Sequence, residues 1–200
     1  RTGESWLLAL ARKLRDQGFD WGALFADYPY LDKRRREECV LATHVVNNAM
    51  AVKYPALWSL VSGDEADRRL SARMIETLDR WHGQVTGLFG GDEHVAGRMP
   101  SQGTELCAVV EYMFSLEHLV SITGDAAYAD RLERIAYNAL PAACSPDMWS
   151  HQYDQQANQA LCIVSEDRIY TSNRADANIF GLEPNYGCCT SNMHQGWPKF

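Results

Sequence analysis

The sequence predicts a mainly α protein built from stacked α-hairpins, as in solenoids and α/α toroids, with a short β-hairpin excursion. Three observations carry that prediction. Apolar residues recur at helical spacing over several separate stretches; a helix–tight turn–helix unit occurs twice; and the composition changes after Pro141.

In chain order, residues 6–17 place Trp6, Leu7, Leu10 and Leu14 on one face, and Gly18 is expected to close that helix. Residues 31–60 contain a longer helical stretch broken near Pro55, and the charge run from Lys33 through Glu38 is expected to be a solvated helix face. Residues 64–81 are helical, with Leu70, Met74, Ile75 and Leu78 as the apolar stripe. Residues 83–101 form a glycine-rich loop, and residues 105–122 and 126–140 give two more helices. Gly63-Asp64 and Gly124-Asp125 form the internal echo. In each, glycine stops one helix and aspartate caps the next. Beyond Pro141, residues 160–165 and 168–172 are expected to be strands of a hairpin turning at Glu166-Asp167. They lie inside residues 145–186, an excursion rich in Asn, Asp, Gln and aromatics, where function tends to concentrate.

The 200 residues suffice for one domain, here expected to be a single partial domain over residues 1–200, because both ends read as cut. A hydrophobic share of 46% and a charged share of 22% are those of an ordinary globular protein. The net charge of −7 argues against nucleic acid or an anionic membrane as partner. No apolar run reaches the roughly 20 residues that span a bilayer. The first residues carry no signal-peptide pattern, so a cytoplasmic location is expected.

Six cysteines stand at 39, 107, 144, 162, 188 and 189. The adjacent pair fits a disulfide framework poorly, and reduced thiols with some metal ligands fit better. Glu105 and Cys107, with Thr104 as the expected N-cap, lie in the first turn of an apolar helix, where the positive helix end favours carboxylate and thiolate. On a regular helix face a spacing of two would separate them. Cys188 and Cys189 need irregular backbone, which Gly187 permits, to reach one ion together. The bland readings are a capping carboxylate with a buried thiol, and a chance thiol pair. Taken together, three thiolates and one carboxylate suit zinc. Glu93, on the loop Gly90-Gly91-Asp92-Glu93-His94, is either a solvated acid or a general acid/base. His44, Asn47 and Asn48 share a helix face inside an apolar run, fitting either a sugar-binding lumen or satisfied core polar groups. Trp149, His151, Tyr153, Asp154 and Gln155 could likewise supply stacking and hydroxyl contacts.

The pairing of Gly103-Thr104-Glu105-Leu106-Cys107 with Gly187-Cys188-Cys189-Thr190-Ser191-Asn192 resembles glycoside hydrolase family 127, which includes β-L-arabinofuranosidases. The likeness runs from about His44 to the end and covers part of that family's catalytic domain. It implies an (α/α)6 barrel whose remainder would be needed. It also implies a carbohydrate substrate and a zinc ion held by Glu105, Cys107, Cys188 and Cys189, with Cys188 as nucleophile and Glu93 as acid/base. His44 and Asn47 are then the substrate-binding candidates. The sequence departs from characterised arabinofuranosidases at Tyr186, where they carry a further cysteine, at Thr190-Ser191, where they tend to carry prolines, and in a shorter loop from Glu93 to Glu105. Two other readings remain beside a retaining glycosidase: a non-catalytic zinc-stabilised carbohydrate-binding or structural module, and a metal-free α/α-toroid enzyme.

Overall fold

The computed structural model describes residues 2–38, 40–166, 173–182 and 185–200, leaving the side chain of Arg36 aside. It is mainly helical. The helices are α1 Ser5–Gln17, α2 Trp21–Ala26, α3 Val45–Ala51, α4 Tyr54–Ser62, α5 Glu65–His82, α6 Leu106–Thr123, α7 Ala126–Tyr137, α8 Ala139–Ala142, α9 Gly187–Met193 and α10 Gly196–Lys199. Four two-residue strands, β1 Gly91–Asp92, β2 His94–Val95, β3 Thr104–Glu105 and β4 Asp154–Gln155, make one small sheet in the order β2-β1-β3-β4.

The echo is real as structure. Gly63 (φ 72°) and Gly124 (φ 69°) both adopt the left-handed conformation that glycine enters without a β-carbon penalty. Asp64 accepts from the Ala66 N–H at 2.8 Å and Asp125 from the Ala127 N–H at 2.9 Å, so each aspartate caps the following helix. The two hairpins, α4–α5 and α6–α7, are thereby built by one local device.

Helix α6 is the pillar of the core. It buries Leu106, Cys107, Val109, Tyr112, Met113, Leu116 and Leu119, and α3, α4, α7, α8, α9 and α10 all pack against it. By length and composition it is long and apolar enough to cross a membrane. Its burial on several sides is that of a core helix.

Several expectations are corrected. The stretch 31–60 is not one interrupted helix. Among described residues before Val45 it holds the 3-10 turn Arg36–Glu38 and a turn over residues 41–43, and the Lys33–Glu38 charge run lies around the first of these rather than on an α-helix face. The expected break near Pro55 falls at Val52-Lys53, between α3 and α4, and Pro55 itself sits in the first turn of α4, where its missing N–H costs nothing. Gly18 does close α1, in an extended conformation (φ −78°, ψ 173°) with its N–H donating to Arg15 O. The helix 126–140 is divided at Asn138. Residues 160–165 form no strand, and residues 168–172 lie outside the described residues. The hairpin is instead β1–β2, inside the glycine loop, with Asp92 opposite His94 and Glu93 at its tip. The excursion contributes β4, which pairs antiparallel with β3 so that Glu105 faces Asp154 in register.

Candidate metal centre

Backbone geometry explains how Glu105 and Cys107 reach the same point. Thr104 is not the N-cap. It lies in β3 with Glu105, which occupies the cap position with an extended backbone (φ −71°, ψ 133°), and its side chain caps nothing. The chain turns into α6 only at Leu106, so the two-residue spacing spans a strand-to-helix junction, and the helical wheel does not apply. Cys107 then stands in the first turn of the pillar, buried. The thiol pair also arrives differently from expectation. Cys188 and Cys189 lie on regular helix, in the first turn of α9, with Cys189 turned into the core and Cys188 exposed. Because α9 packs on α6, the two helix starts face each other.

The consequence is convergence. The Cys107 and Cys189 sulfurs are 3.3 Å apart. One ligand atom from each of Glu105, Cys107, Cys188 and Cys189 lies within 4.8 Å of every other. Tetrahedral zinc with sulfur at about 2.3 Å would set its ligand atoms roughly 3.8 Å apart, so one ion fits the set. The donor chemistry fits as well, three soft sulfurs and one carboxylate oxygen. Five cysteines are free thiols among the described residues; Cys39 lies outside them. Cys144 and Cys162 do not join the cluster. Their thiols are directed at the carbonyls of Leu140 and Asn178.

Electrostatics distinguishes the members. Burial pushes the Glu105 carboxyl up to about 8, and the Glu93 carboxylate adds to the shift. At Cys107 the bond to Cys189 pulls down, but burial and Glu105 leave the thiol raised. Cys189 is raised by its bonds to the Cys107 and Cys188 sulfurs. Cys188 alone is drawn down, to about 6, by hydrogen bonding from Cys189 against the opposing effect of burial. The protein groups by themselves therefore hold a negative charge best on the exposed sulfur. Asn192 Nδ2 donates to Cys107 Sγ at 3.2 Å, a further amide contact on the cluster.

Glu93 stands beside this cluster. Its backbone is left-handed (φ 57°), its N–H donates to Glu105 Oε2 at 3.2 Å, and its carbonyl accepts from Val45 N–H at 2.9 Å. On the carboxylate, Oε2 is 3.4 Å from His44 Nε2. The other oxygen, Oε1, accepts from Tyr153 Oη at 3.3 Å and Asn173 Nδ2 at 3.0 Å. Led by the His44 bond, these contacts hold the carboxyl down at about 2 despite burial. The same bond raises His44. His44 is the N-cap of α3, and its Nδ1 accepts the Asn47 N–H, which leaves Nε2 as the protonated nitrogen facing Glu93.

Of the residues singled out in the sequence, Glu93, His44, Glu105, Cys107, Cys188 and Cys189 are brought together. The Asn47 side chain turns elsewhere, donating to Leu41 O, and lines an apolar groove between α1 and α4. Asn48 is buried and bonds the carbonyls of Ala42 and His44. Trp149 is exposed, while His151, Asp154 and Gln155 are buried. Only Tyr153 of that group joins the site. Its ring stacks on Tyr186 at 4.0 Å, and its hydroxyl also reaches Glu105 Oε2 at 3.4 Å. Asn173 was invisible to sequence reasoning, since one amide among many in the excursion carries no spacing signal.

No curated protein matches the chain. All of it, residues 1–200, matches the family described as beta-L-arabinofuranosidase, GH127 catalytic domain. With its two cysteine-bearing motifs converging in this way and residues 1–200 matching that domain, the chain belongs to glycoside hydrolase family 127.

Proposed function

We propose that the protein is a retaining, zinc-dependent glycoside hydrolase acting on a terminal sugar, with a β-L-arabinofuranoside as the first substrate to try. The observation that carries this reading is the meeting of Glu105, Cys107, Cys188 and Cys189 within 4.8 Å, with Glu93 hydrogen-bonded to one of them. Membership of the family supports glycosidase chemistry. A bound zinc ion would keep the sulfurs deprotonated near neutral pH and spread the charge of the remaining ligands.

Cys188 is the nucleophile because its sulfur is the exposed one and the one that best holds charge. Its thiolate attacks the anomeric carbon; an S–C bond forms as the glycosidic C–O bond breaks. Glu93, which rests as a carboxylate, first takes up a proton from solvent and passes it to the leaving oxygen. Glu93, again a carboxylate, then removes a proton from water, which attacks the same carbon. The S–C bond breaks, Cys188 returns as thiolate, and two inversions give net retention. His44, whose Nε2 faces Glu93 Oε2, borders the space where the sugar must sit and is a substrate-contact candidate.

The test is a panel of aryl furanosides and pyranosides, with zinc measured by elemental analysis. Wild type should turn over at least one member and hold one zinc per chain. Cys188→Ser should lose at least about a thousandfold in kcat, and mass spectrometry of wild type should find a sugar adduct on Cys188. An active Cys188→Ser variant ends the covalent mechanism. Stoichiometric zinc with no hydrolysis across the panel favours the non-catalytic module, and full activity without metal favours a different toroid enzyme.

A further inference from the structure

We infer that Asn173 is the positioning residue for Glu93: it fixes the carboxylate and confines the transferable proton to one of its oxygens. The inference rests on the glycosidase reading above and deepens it. Asn173 comes from the excursion, 80 residues from Glu93 in sequence, and its Nδ2 donates both to Glu93 Oε1 at 3.0 Å and to Tyr153 Oη at 2.8 Å.

The hydrogen inventory follows from these contacts. The amide nitrogen can only donate. Tyr153 Oη therefore accepts from Asn173, and its single proton is directed to Glu93 Oε1 at 3.3 Å or Glu105 Oε2 at 3.4 Å. With the phenolic hydrogen turned to it, Oε1 has both lone pairs engaged, by that hydrogen and by the Asn173 amide, whereas Oε2, which faces only His44 Nε2, keeps one free. Oε1 is thereby the accepting oxygen in both states of the carboxyl. Any proton Glu93 passes to a leaving group must sit on Oε2, the oxygen on the His44 side. Without Asn173 the tyrosine hydrogen is no longer directed, the carboxylate can rotate, and the proton is shared between the two oxygens.

The backbone makes this support necessary. Glu93 is the tip residue of the β1–β2 turn, in a left-handed conformation that a side chain rarely adopts. Its main chain is held by Val45 N–H and Glu105 Oε2. Hydrogen bonds from His44, Tyr153 and Asn173 hold the side chain. Tyr153 is in turn steadied by the Tyr186 ring stacked on it at 4.0 Å.

A leaving-group comparison separates positioning from mere structure. Proton donation matters most for a poor leaving group. The probes are the β-L-arabinofuranosides of para-nitrophenol and of methanol, or the same pair built on whichever sugar wild type hydrolyses in the panel. The measured quantity is kcat/KM, which reports the first step, with zinc content beside it. Asn173→Ala should lower kcat/KM for the methyl glycoside about tenfold more than for the nitrophenyl glycoside, with zinc retained. Tyr153→Phe removes the relayed hydroxyl and should shift the ratio the same way, so it decides the matter if Asn173→Ala does not fold. Equal losses on both substrates with zinc retained overturn the inference, as does loss of zinc from both variants, which would make the network structural. If wild type hydrolyses no glycoside in the panel, the glycosidase reading itself has failed, an outcome distinct from either.

Discussion

The α-hairpins and the thiol-bearing site are held together by opposite means. In α4–α5 and α6–α7 a glycine stop and an aspartate cap lie next to each other in sequence, and the aspartate's partner is two residues on. At the site almost every contact is distant in sequence: Cys107 with Cys189 across 82 residues, Tyr153 with Glu93 across 60, Asn173 with Glu93 across 80. Its strands are two residues long and supply few ladder bonds. The hairpins can form from local information, whereas the site has to be assembled by the fold and then tied.

If the tie is a metal, removing it should separate the two regions, and this is the largest effect expected. Stripping zinc with a chelator should raise amide exchange in α9 and the β1–β4 sheet by orders of magnitude, because ligand binding is folding free energy for the elements it joins. Exchange in α4–α5 should change little. Uniform acceleration in both regions would mean that the chain unfolds as one unit and the contrast is false. Cys107→Ser should reproduce the chelator's pattern and lower zinc content well below one per chain.

Next in size is a substitution that touches no ligand. Gly103 passes directly against Asp154, and a β-carbon there would collide with that buried carboxylate. Gly103→Ala should destabilise by about 3 kcal/mol, the upper range for overpacking, in a denaturant titration. The β3–β4 pairing that sets Glu105 opposite Asp154 should be lost first, visible as zinc loss before global unfolding. A variant as stable as wild type would show that this junction yields easily.

The same contrast explains what the sequence could convey. Periodicity found α5 and α6 nearly to the residue, and the Gly-Asp echo found both turns, because those signals are local. It failed over residues 31–44 and 160–165, where apolar and charged residues mimic a helix and a strand that the chain does not form there. The candidate ligands Glu105, Cys107, Cys188 and Cys189 were legible as residue types. Their convergence was not, since it depends on Glu105 leaving the helix for β3 and on α9 docking against α6. Asn173 needed three dimensions altogether, as did the role of Tyr186 behind Tyr153.

His82 sits where a hairpin hands over to the site, at the last residue of α5. It is fully buried; its Nδ1 accepts Gly97 N–H at 2.8 Å, and its Nε2 donates to Tyr30 O at 2.6 Å. Burial lowers its pKa to about 4, while the bond to Tyr30 opposes the shift. The unfolded chain therefore binds the proton first as pH falls. This contribution is complete above the unfolded value near 6.5 and is lost as pH drops towards 4. About 3 kcal/mol of stability should disappear across that window at most, and His82→Gln should flatten this limb of the stability profile. An unchanged limb in the variant would assign the acid sensitivity to other groups.

The smallest effects should lie in the hairpins, and their equality is the point. Asp64→Ala and Asp125→Ala each remove one side-chain cap and should each cost about 1 kcal/mol in denaturant unfolding. Because the two caps serve separate turns, the double variant should lose the sum to within about 0.5 kcal/mol. Neither aspartate touches the thiol cluster, so zinc content should stay at one per chain in all three proteins. A loss well beyond the sum would mean that α4–α5 and α6–α7 support each other through α6, and the scaffold would then share the long-range character of the site. Additive losses with zinc retained would fix the division: local codes build the hairpins, and distant contacts build the chemistry.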